Sequence, residues 1–202
     1  MIANSTYLSP QDYLTQEVHS LVKHEYRQGQ AYAMAGASDA HVTIALNLAT
    51  ILRNHLRGSG CRVYISDMKV QVDLANCYYY PDVMVTCDSR DTETSTHKRF
   101  PKLIVEVLSP STSSFDRGDK FADYQTLESL QEYILINSHC PRVECFRRTE
   151  GGLWLFQSYG SRFELDTAAV LTLHSLNLEI TLPELYEEVT LTPIKLDSKT
   201  PT

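Results

Sequence analysis

The chain has 202 residues, which suits one domain, or one domain with a small appendage, and is enough to bury a core. Its 43% of hydrophobic residues is ordinary for a globular protein, and no apolar run approaches the roughly 18 residues of a membrane span. The formal net charge of −7 counts against strong non-specific binding to nucleic acid, which depends on neutralising phosphates. The N-terminus lacks a basic end followed by an apolar stretch, so we expect no signal peptide.

The cysteines show no spacing that is typical of a zinc motif. Their number is odd, and no Cys-x-x-Cys pair occurs. The five are Cys61, Cys77, Cys87, Cys140 and Cys145. This pattern predicts reduced thiols in a cytoplasmic protein.

The N-terminal quarter predicts a short helix, a hairpin and a long helix. A Ser-Pro pair begins the short helix at residues 9–22, and Gly29 separates two strand-like runs that predict the hairpin. Ser38 is placed to cap the long helix, which Gly58 ends. The long helix carries an apolar stripe that is expected to be core. The stripe consists of Val42, Ala45, Leu46, Ala49, Leu52 and Leu56.

Three strand candidates follow the long helix. The first is a long strand at residues 61–74, expected to bend near Asp67. The second is residues 78–88, and the third is residues 102–109, with a polar loop between them. In the third, alternation puts Ile104, Glu106 and Leu108 on one face of the sheet.

The rest of the chain predicts one more helix and the strands that complete the sheet. A serine-rich loop runs into the helix, and residues 131–137 follow as a buried strand. A hairpin turns at residues 150–152, and one apolar strand and a short helix from about Pro183 complete the tail. The central order of helix, three strands, helix and strand predicts an α/β sandwich with a mixed sheet.

We therefore predict a single domain. Its core is expected at about residues 38–148, with a C-terminal extension at about 149–190 and a frayed tail at 193–202.

Two acids stand alone in apolar strands. Asp82 lies in YYYPDVMVTCD and Glu106 in LIVEVLS. Each could be a strand-end acid that faces solvent or pairs with a lysine or arginine. If the two strands are neighbours, however, the carboxylates lie side by side and repel each other, which a divalent cation would relieve. Hard oxygen ligands suit Mg²⁺, so the pair predicts a magnesium site.

A lysine follows on the next helix. Lys120 is four residues after Asp116 and four before Tyr124, so all three share one helix face. At a metal site, Lys120 could orient the attacking water or stabilise developing phosphate charge. The alternative is a solvated lysine paired with Asp116.

Four stretches carry a resemblance to a known family. Together with the segments between them they cover about residues 10–150. They are HEYRQGQAYAMAGASDAH, YYYPDVMVTCD, LIVEVLSPST and DRGDKFADYQTLESLQEYILI. The chain resembles the Uma-type family of restriction endonuclease-like proteins, formerly a domain of unknown function, within the PD-(D/E)xK nuclease superfamily. The resemblance implies a restriction-endonuclease-like fold with an α-β-β-β-α-β core, to which the N-terminal helix and hairpin and the C-terminal hairpin are additions.

The resemblance also implies roles for residues. Asp82 and Glu106 would bind Mg²⁺, or Mn²⁺, with the Val107 backbone carbonyl as a candidate third ligand. The family pattern places a lysine two residues after the glutamate, where this chain has Leu108. We expect Lys120 to be a migrated replacement.

Other residues are candidates to support the site. Lys69 is the second choice for the lysine, and Glu25 and His41 could complete the site from the N-terminal side. Tyr124 shares the face of Lys120, although packing alone would explain it. For His41 the alternative is hydrogen bonding at a helix end.

The implied activity is a Mg²⁺-dependent endonuclease that hydrolyses phosphodiester bonds in DNA, acting as a homodimer in the cytoplasm. A few cations would have to line the cleft of so acidic a protein. Candidates are Arg53, Arg62, Lys69 and Arg117. The alternatives are an inactive protein that kept the nuclease fold for binding or regulation, and a nuclease that acts on RNA.

Overall fold

A computed structural model of the protein describes residues 7–161 and 163–191. In this part of the chain there are five α-helices and thirteen strands, with short 3-10 turns at Ser89–Thr92 and His174–Leu176. The helices are α1 (Pro10–Glu17), α2 (Asp39–His55), α3 (Ser113–Arg117), α4 (Asp119–Tyr124) and α5 (Leu182–Leu185). The strands are β1 (His24–Arg27), β2 (Gln30–Ala33), β3 (Arg62–Ile65), β4 (Lys69–Val72), β5 (Cys77–Tyr79), β6 (Val83–Thr86), β7 (His97–Lys98), β8 (Pro101–Leu108), β9 (Glu132–Asn137), β10 (Arg142–Arg148), β11 (Trp154–Gly160), β12 (Val170–Leu173) and β13 (Leu178–Thr181).

The main sheet has six strands in the order β11-β10-β9-β8-β6-β3. Only β8 and β9 run parallel, and the other neighbouring pairs are antiparallel. A parallel pair needs a crossover connection, which α3 and α4 supply. Along the chain the elements of this layer come as α2, β3, β6, β8, α4 and β9, which confirms the predicted helix-strand-strand-strand-helix-strand order.

A second sheet has the order β2-β1-β5-β4-β7. Its strands β4 and β5 lie in the chain between β3 and β6, so the prediction of one long strand at residues 61–74 is wrong. The extended conformation is interrupted at Ser66, whose φ is 40°. The strand before it, β3, joins the main sheet, and the strand after it, β4, joins the second sheet. The prediction of one strand at residues 78–88 is wrong for a similar reason. Proline cannot donate to a strand ladder, and at Pro81 the chain passes from β5 of the second sheet to β6 of the main sheet.

The core lies on both faces of the main sheet. Helix α2 and the C-terminal hairpin of β12 and β13 cover one face, and α4 and the second sheet cover the other. The alternation predicted for β8 is confirmed, since Val105 packs with the α2 side and Ile104 with the α4 side. Glu106 therefore faces α4 and the second sheet.

The predicted apolar stripe of α2 is wrong at two positions. Val42 and Leu46 are 55% and 57% exposed, whereas Ile44 and Leu48 are buried. Apolar residues cover more than one face of this helix. Spacing alone therefore could not predict which face packs against the sheet. Ser38 caps the helix as predicted, with its side chain accepting from the His41 backbone N–H.

The hairpins were predicted at the right places. Strands β1 and β2 pair around Gly29, and β10 pairs with β11 around residues 150–152. Helix α1 is shorter than predicted and ends at Glu17, whose carboxylate accepts the His24 backbone N–H at 2.8 Å. The tail holds two paired strands, β12 and β13, instead of one. The tail predicted to fray, residues 193–202, lies outside the described residues.

A disulfide joins Cys61 and Cys87, so the prediction that all five cysteines are reduced is wrong. Arg62 and Thr86 are partners in the β3–β6 ladder, which places the two cysteines opposite each other just beyond it. Sequence spacing could not predict a pair that meets only through strand register. Among the described residues, no helix is long and apolar enough to cross a membrane.

Candidate active site

Asp82 and Glu106 are neighbours across two strands. Val83 of β6 is the partner of Val105 of β8, so extending the antiparallel register by one residue sets Asp82 opposite Glu106. Directly opposite residues project from the same face of a sheet. The structure thus brings together the two acids that the sequence singled out.

Both carboxylate oxygens of Asp82 are engaged. One lies 2.8 Å from His41 Nε2, and the other accepts the Val107 backbone N–H at 2.7 Å. His41 stands in the first turn of α2, which points it at the start of β6. Because the N–H and C=O of a residue in an extended strand lie at the same edge, the Val107 carbonyl also lies on the Asp82 side.

Lys120 reaches Glu106 from the first turn of α4. Its Nζ lies 2.8 Å from Glu106 Oε1, 2.9 Å from Glu25 Oε1 and 3.7 Å from Asp116 Oδ1. The lysine is only 4% exposed. It is therefore a buried cation inside a group of acids, and not a solvated helix charge.

Lys69 lies elsewhere. Its strand, β4, belongs to the second sheet, and its amino group donates to the Tyr80 hydroxyl at 3.2 Å and sits over that ring. Burial lowers the pKa of Lys69 below its usual value. The lysine in contact with the acids is thus Lys120.

Two of the predicted supporting residues, Tyr124 and Glu25, contact Glu106 or Lys120. The Tyr124 hydroxyl, fully buried, donates to Glu106 Oε1 at 3.1 Å. Glu25 Oε1 contacts Lys120 and also accepts the Tyr80 backbone N–H at 3.2 Å. Arg117, proposed to line the cleft, instead donates to Glu144 on β10 at 2.8 Å.

Electrostatics favours a cation at this site. Burial raises the pKa of Glu106 well above its usual value, and the negative charges of Asp116, Asp82 and Glu25 reinforce the shift while Lys120 opposes it. Burial likewise raises the pKa of Asp116. Burial alone would lower the pKa of Lys120, but its three carboxylate neighbours outweigh that and raise it. Three carboxylates surround Lys120, and Asp82 lies beside Glu106, so acids outnumber this lysine at the site.

Asp116 is the site residue that sequence reasoning undervalued. Its spacing of four from Lys120 was visible, but such pairs are usually solvated and weak. In the structure Asp116 is 3% exposed. The burial of Asp116 follows from the crossover between the parallel strands β8 and β9, which packs α3 and α4 against the sheet. Spacing along the helix could not predict it.

The donor set fits a hard divalent cation. The Asp82 and Glu106 carboxylates and the Val107 carbonyl are all oxygen donors, the kind that Mg²⁺ prefers while it keeps several waters. Within residues 7–161 and 163–191, no group of three or more His, Cys, Asp or Glu side chains is arranged as a metal cage. A cation here would thus be held by two carboxylates, a carbonyl and solvent.

The chain is similar to a known protein family and to proteins of a cyanobacterium. Residues 10–183 match the Uma2 family, described as "Putative restriction endonuclease". The uncharacterized protein slr1290 of Synechocystis sp. strain PCC 6803 is 40% identical over 163 residues, covering 81% of this chain and 86% of that protein. A second uncharacterized protein of this strain, sll1609, is 34% identical over 157 residues, covering 77% and 89%.

A solved structure has the same fold. It is the crystal structure of a "putative nuclease belonging to DUF820" from Anabaena variabilis, which superposes with a TM-score of 0.70 at 15% identity and covers 89% of this chain and 97% of that one. The likeness confirms the predicted restriction-endonuclease-like α/β fold. From the match over residues 10–183, the chain belongs to the Uma2 family.

Proposed function

We propose that this protein is a Mg²⁺-dependent endonuclease that hydrolyses phosphodiester bonds in DNA. The observation that carries the proposal is the 2.8 Å contact between Lys120 Nζ and Glu106 Oε1, beside Asp82 on the next strand. Two acids and a lysine are thereby gathered although Leu108 fills the usual lysine position. Membership of a family described as "Putative restriction endonuclease" supports the same reaction class.

Asp82, Glu106 and the Val107 carbonyl would hold the cation, with Mg²⁺ as the first choice and Mn²⁺ as the second. When bound, the cation supplies Lewis-acid stabilisation of the charge that develops on the reacting phosphate.

The chain's own residues keep this arrangement in place. His41 and the Val107 N–H each hold one oxygen of Asp82, which fixes the carboxylate plane. The Tyr124 hydroxyl orients Glu106. The Lys120 ammonium would orient the attacking water or stabilise negative charge on the phosphoryl oxygens.

Substrate, assembly and location are part of the proposal. With a net charge of −7, DNA binding would be weak for one chain alone, so we propose a homodimer that presents two sites to the two strands. We also propose a cytoplasmic location.

A cleavage assay with matched variants tests the proposal. Plasmid DNA is incubated with Mg²⁺ or Mn²⁺ and wild-type protein, Asp82→Ala or Lys120→Ala, while calorimetry measures metal binding. We expect wild type to nick the plasmid and both variants to lose about 100-fold or more in rate. Asp119→Asn is the control, because Asp119 is a mostly exposed acid of the same helix.

Three results would change the conclusion. Wild type and variants that are equally inert and bind no metal would end the nuclease proposal. Binding of metal and DNA without cleavage would favour a binding or regulatory protein. Cleavage of RNA in place of DNA would keep the site and change the substrate.

A further inference from the structure

The Lys120 ammonium has two acid partners at nearly equal distance. Glu25 Oε1 lies 2.9 Å away and Glu106 Oε1 2.8 Å away. The two side chains are 16% and 6% exposed, so both contacts are largely shielded from water. Asp116, at 3.7 Å, is too far for a direct hydrogen bond. Glu25 and Glu106 thus determine where the ammonium sits.

Glu25 reaches the site from outside the main sheet. It belongs to β1, which pairs with β2 and β5 in the second sheet. The oxygen that contacts Lys120 also accepts the Tyr80 backbone N–H at 3.2 Å. Tyr80 stands two residues before Asp82. One carboxylate therefore ties the lysine on α4 to the segment that places Asp82.

The two acid partners differ in what else they do. Glu106 also accepts the Tyr124 hydroxyl and is one of the two carboxylates that would hold the cation. A cation on Glu106 would share its charge and weaken its hold on the ammonium, since two positive groups would compete for one carboxylate. Glu25 is not one of the residues that would hold the cation. It can keep the ammonium in place whether or not the cation is bound.

We propose that Glu25 is a positioning residue that holds the Lys120 ammonium beside Glu106, so that the N-terminal hairpin is a working part of the active site. The role in catalysis rests on the proposed nuclease function, whereas the anchoring of Lys120 does not. Glu25 acts only through Lys120 and touches no reacting group.

The chain offers a matched control. Glu17 is also a shielded acid of the N-terminal region, with a side chain 5% exposed. It accepts the Tyr80 hydroxyl at 2.9 Å and so braces the same tyrosine, and its bonds are with Tyr80 and His24. Replacing Glu17 disturbs N-terminal packing to a similar extent without removing an acid from the lysine.

The anchoring is tested by NMR on metal-free protein. A buried, ion-paired ammonium exchanges its protons slowly and gives a ¹⁵N-detected side-chain signal, which Lys120→Arg identifies by its loss. We expect Glu25→Ala to broaden this signal beyond detection and the isosteric Glu25→Gln to shift it, while Glu17→Gln leaves it unchanged. If Glu25→Ala does not fold, Glu25→Gln decides alone. A wild-type signal in the Glu25 variants would overturn the proposal.

The catalytic part is tested by separating turnover from metal affinity. We expect Glu25→Gln to lower kcat for plasmid nicking about tenfold through misplacement of the ammonium, with metal affinity changed less than threefold. Glu17→Gln should keep wild-type kcat. A tenfold loss of metal affinity with unchanged kcat would overturn positioning and make Glu25 a metal ligand. If wild type cleaves nothing, the proposed function fails, and the NMR result still decides whether Glu25 anchors Lys120.

Discussion

At the scale of single residues, the site is built around one buried cation. Lys120 compensates Glu25, Glu106 and Asp116, all of which are within 4 Å of its Nζ. Burying charges is costly, but removing one partner of a buried group costs more, because the remaining charges are left uncompensated. The stability of the metal-free protein should therefore depend strongly on this lysine.

Lys120→Met should lower the free energy of unfolding by about 3–5 kcal/mol, because it removes the charge and keeps much of the volume. Urea unfolding measures the change. Mg²⁺ should restore part of the loss in the variant, since a cation bound by Asp82 and Glu106 relieves the same repulsion. Lys120→Arg, which keeps the charge, is the control and should lose less. A Lys120→Met variant as stable as wild type would show that the acids do not repel each other.

Asp116 should give the site a characteristic pH dependence. Burial, more than any other cause, raises the pKa of this carboxyl above its usual 3.8, against the opposing effects of Lys120 and Thr112. The folded state then binds the proton more tightly than the unfolded state. Asp116 therefore stabilises the fold below about pH 4, and this contribution is lost as pH rises through the folded-state pKa.

Wild type loses stability as Asp116 ionises, whereas Asp116→Asn has no carboxyl to ionise at this position. The stability of Asp116→Asn relative to wild type should therefore rise as pH increases from about 4, and then level off. Urea unfolding of both proteins between pH 3.5 and 8 tests this. The exposed Asp119→Asn, which removes a nearby carboxylate that does not contact Lys120, serves as the control. A stability difference for Asp116→Asn that is constant across the range would contradict the expected titration.

The sequence predicted which residues gather at the candidate site better than it predicted their surroundings. Asp82 and Glu106 were predictable because an acid inside an apolar strand needs a reason to be there. Helix spacing made Lys120 a candidate, and the family resemblance made it the expected replacement for the missing lysine. The burial of Asp116 and the engagement of Asp82 by the Val107 N–H were not predictable, because both depend on strand register and on the crossover. Sequence spacing describes one element at a time.

At the scale of elements, the errors lie where one run of sequence serves two sheets. Residues 61–74 alternate well enough to suggest a single strand, yet β3 and β4 join different sheets. The turn at Ser66 has no glycine or proline to announce it. Strand β8, by contrast, was predicted nearly to its ends, because it is a central strand buried on both faces.

The C-terminal hairpin is attached through one buried acid. Glu132, at the start of β9, is 0% exposed. It accepts from Arg147 Nε at 2.9 Å, from the His174 N–H at 3.0 Å, and from the N–H and hydroxyl of Ser175 at 2.9 and 2.5 Å. These bonds fix the turn between β12 and β13 to the main sheet.

Glu132→Ala should destabilise the protein by about 3–5 kcal/mol, because it leaves Arg147 and two backbone donors without their acceptor. Hydrogen exchange should speed up first in β12 and β13, the elements that the contact holds. The control is Glu179→Ala, an exposed acid of the same hairpin, with an expected change within about 0.5 kcal/mol. Unchanged exchange in both strands would mean that apolar packing and the remaining hydrogen bonds to the Thr172 and Leu176 carbonyls dock the hairpin without Glu132.

At the scale of the whole molecule, the charge distribution constrains how a nucleic acid can bind. Many of the described cations are already paired with carboxylates, which reduces the charge available to phosphates. These cations are Lys23, Arg27, Arg90, Arg99, Arg117, Lys120, Arg142 and Arg147. With an overall charge of −7, an extended basic track for DNA is not expected.

Binding of DNA without metal should therefore be weak and only shallowly dependent on salt. The binding constant falls as salt rises, and the steepness of log K against log salt reports how many phosphates are neutralised. We expect a slope of magnitude below about 3 for one chain on duplex DNA. Fluorescence anisotropy with a labelled duplex measures it, with EDTA present to prevent cleavage. Adding Ca²⁺ should tighten binding to wild type more than to Asp82→Ala, because the cation at the acid pair supplies the positive charge that the surface lacks. A slope of six or more in EDTA would reveal a basic surface and would remove the reason for proposing that metal and dimer are needed to hold DNA.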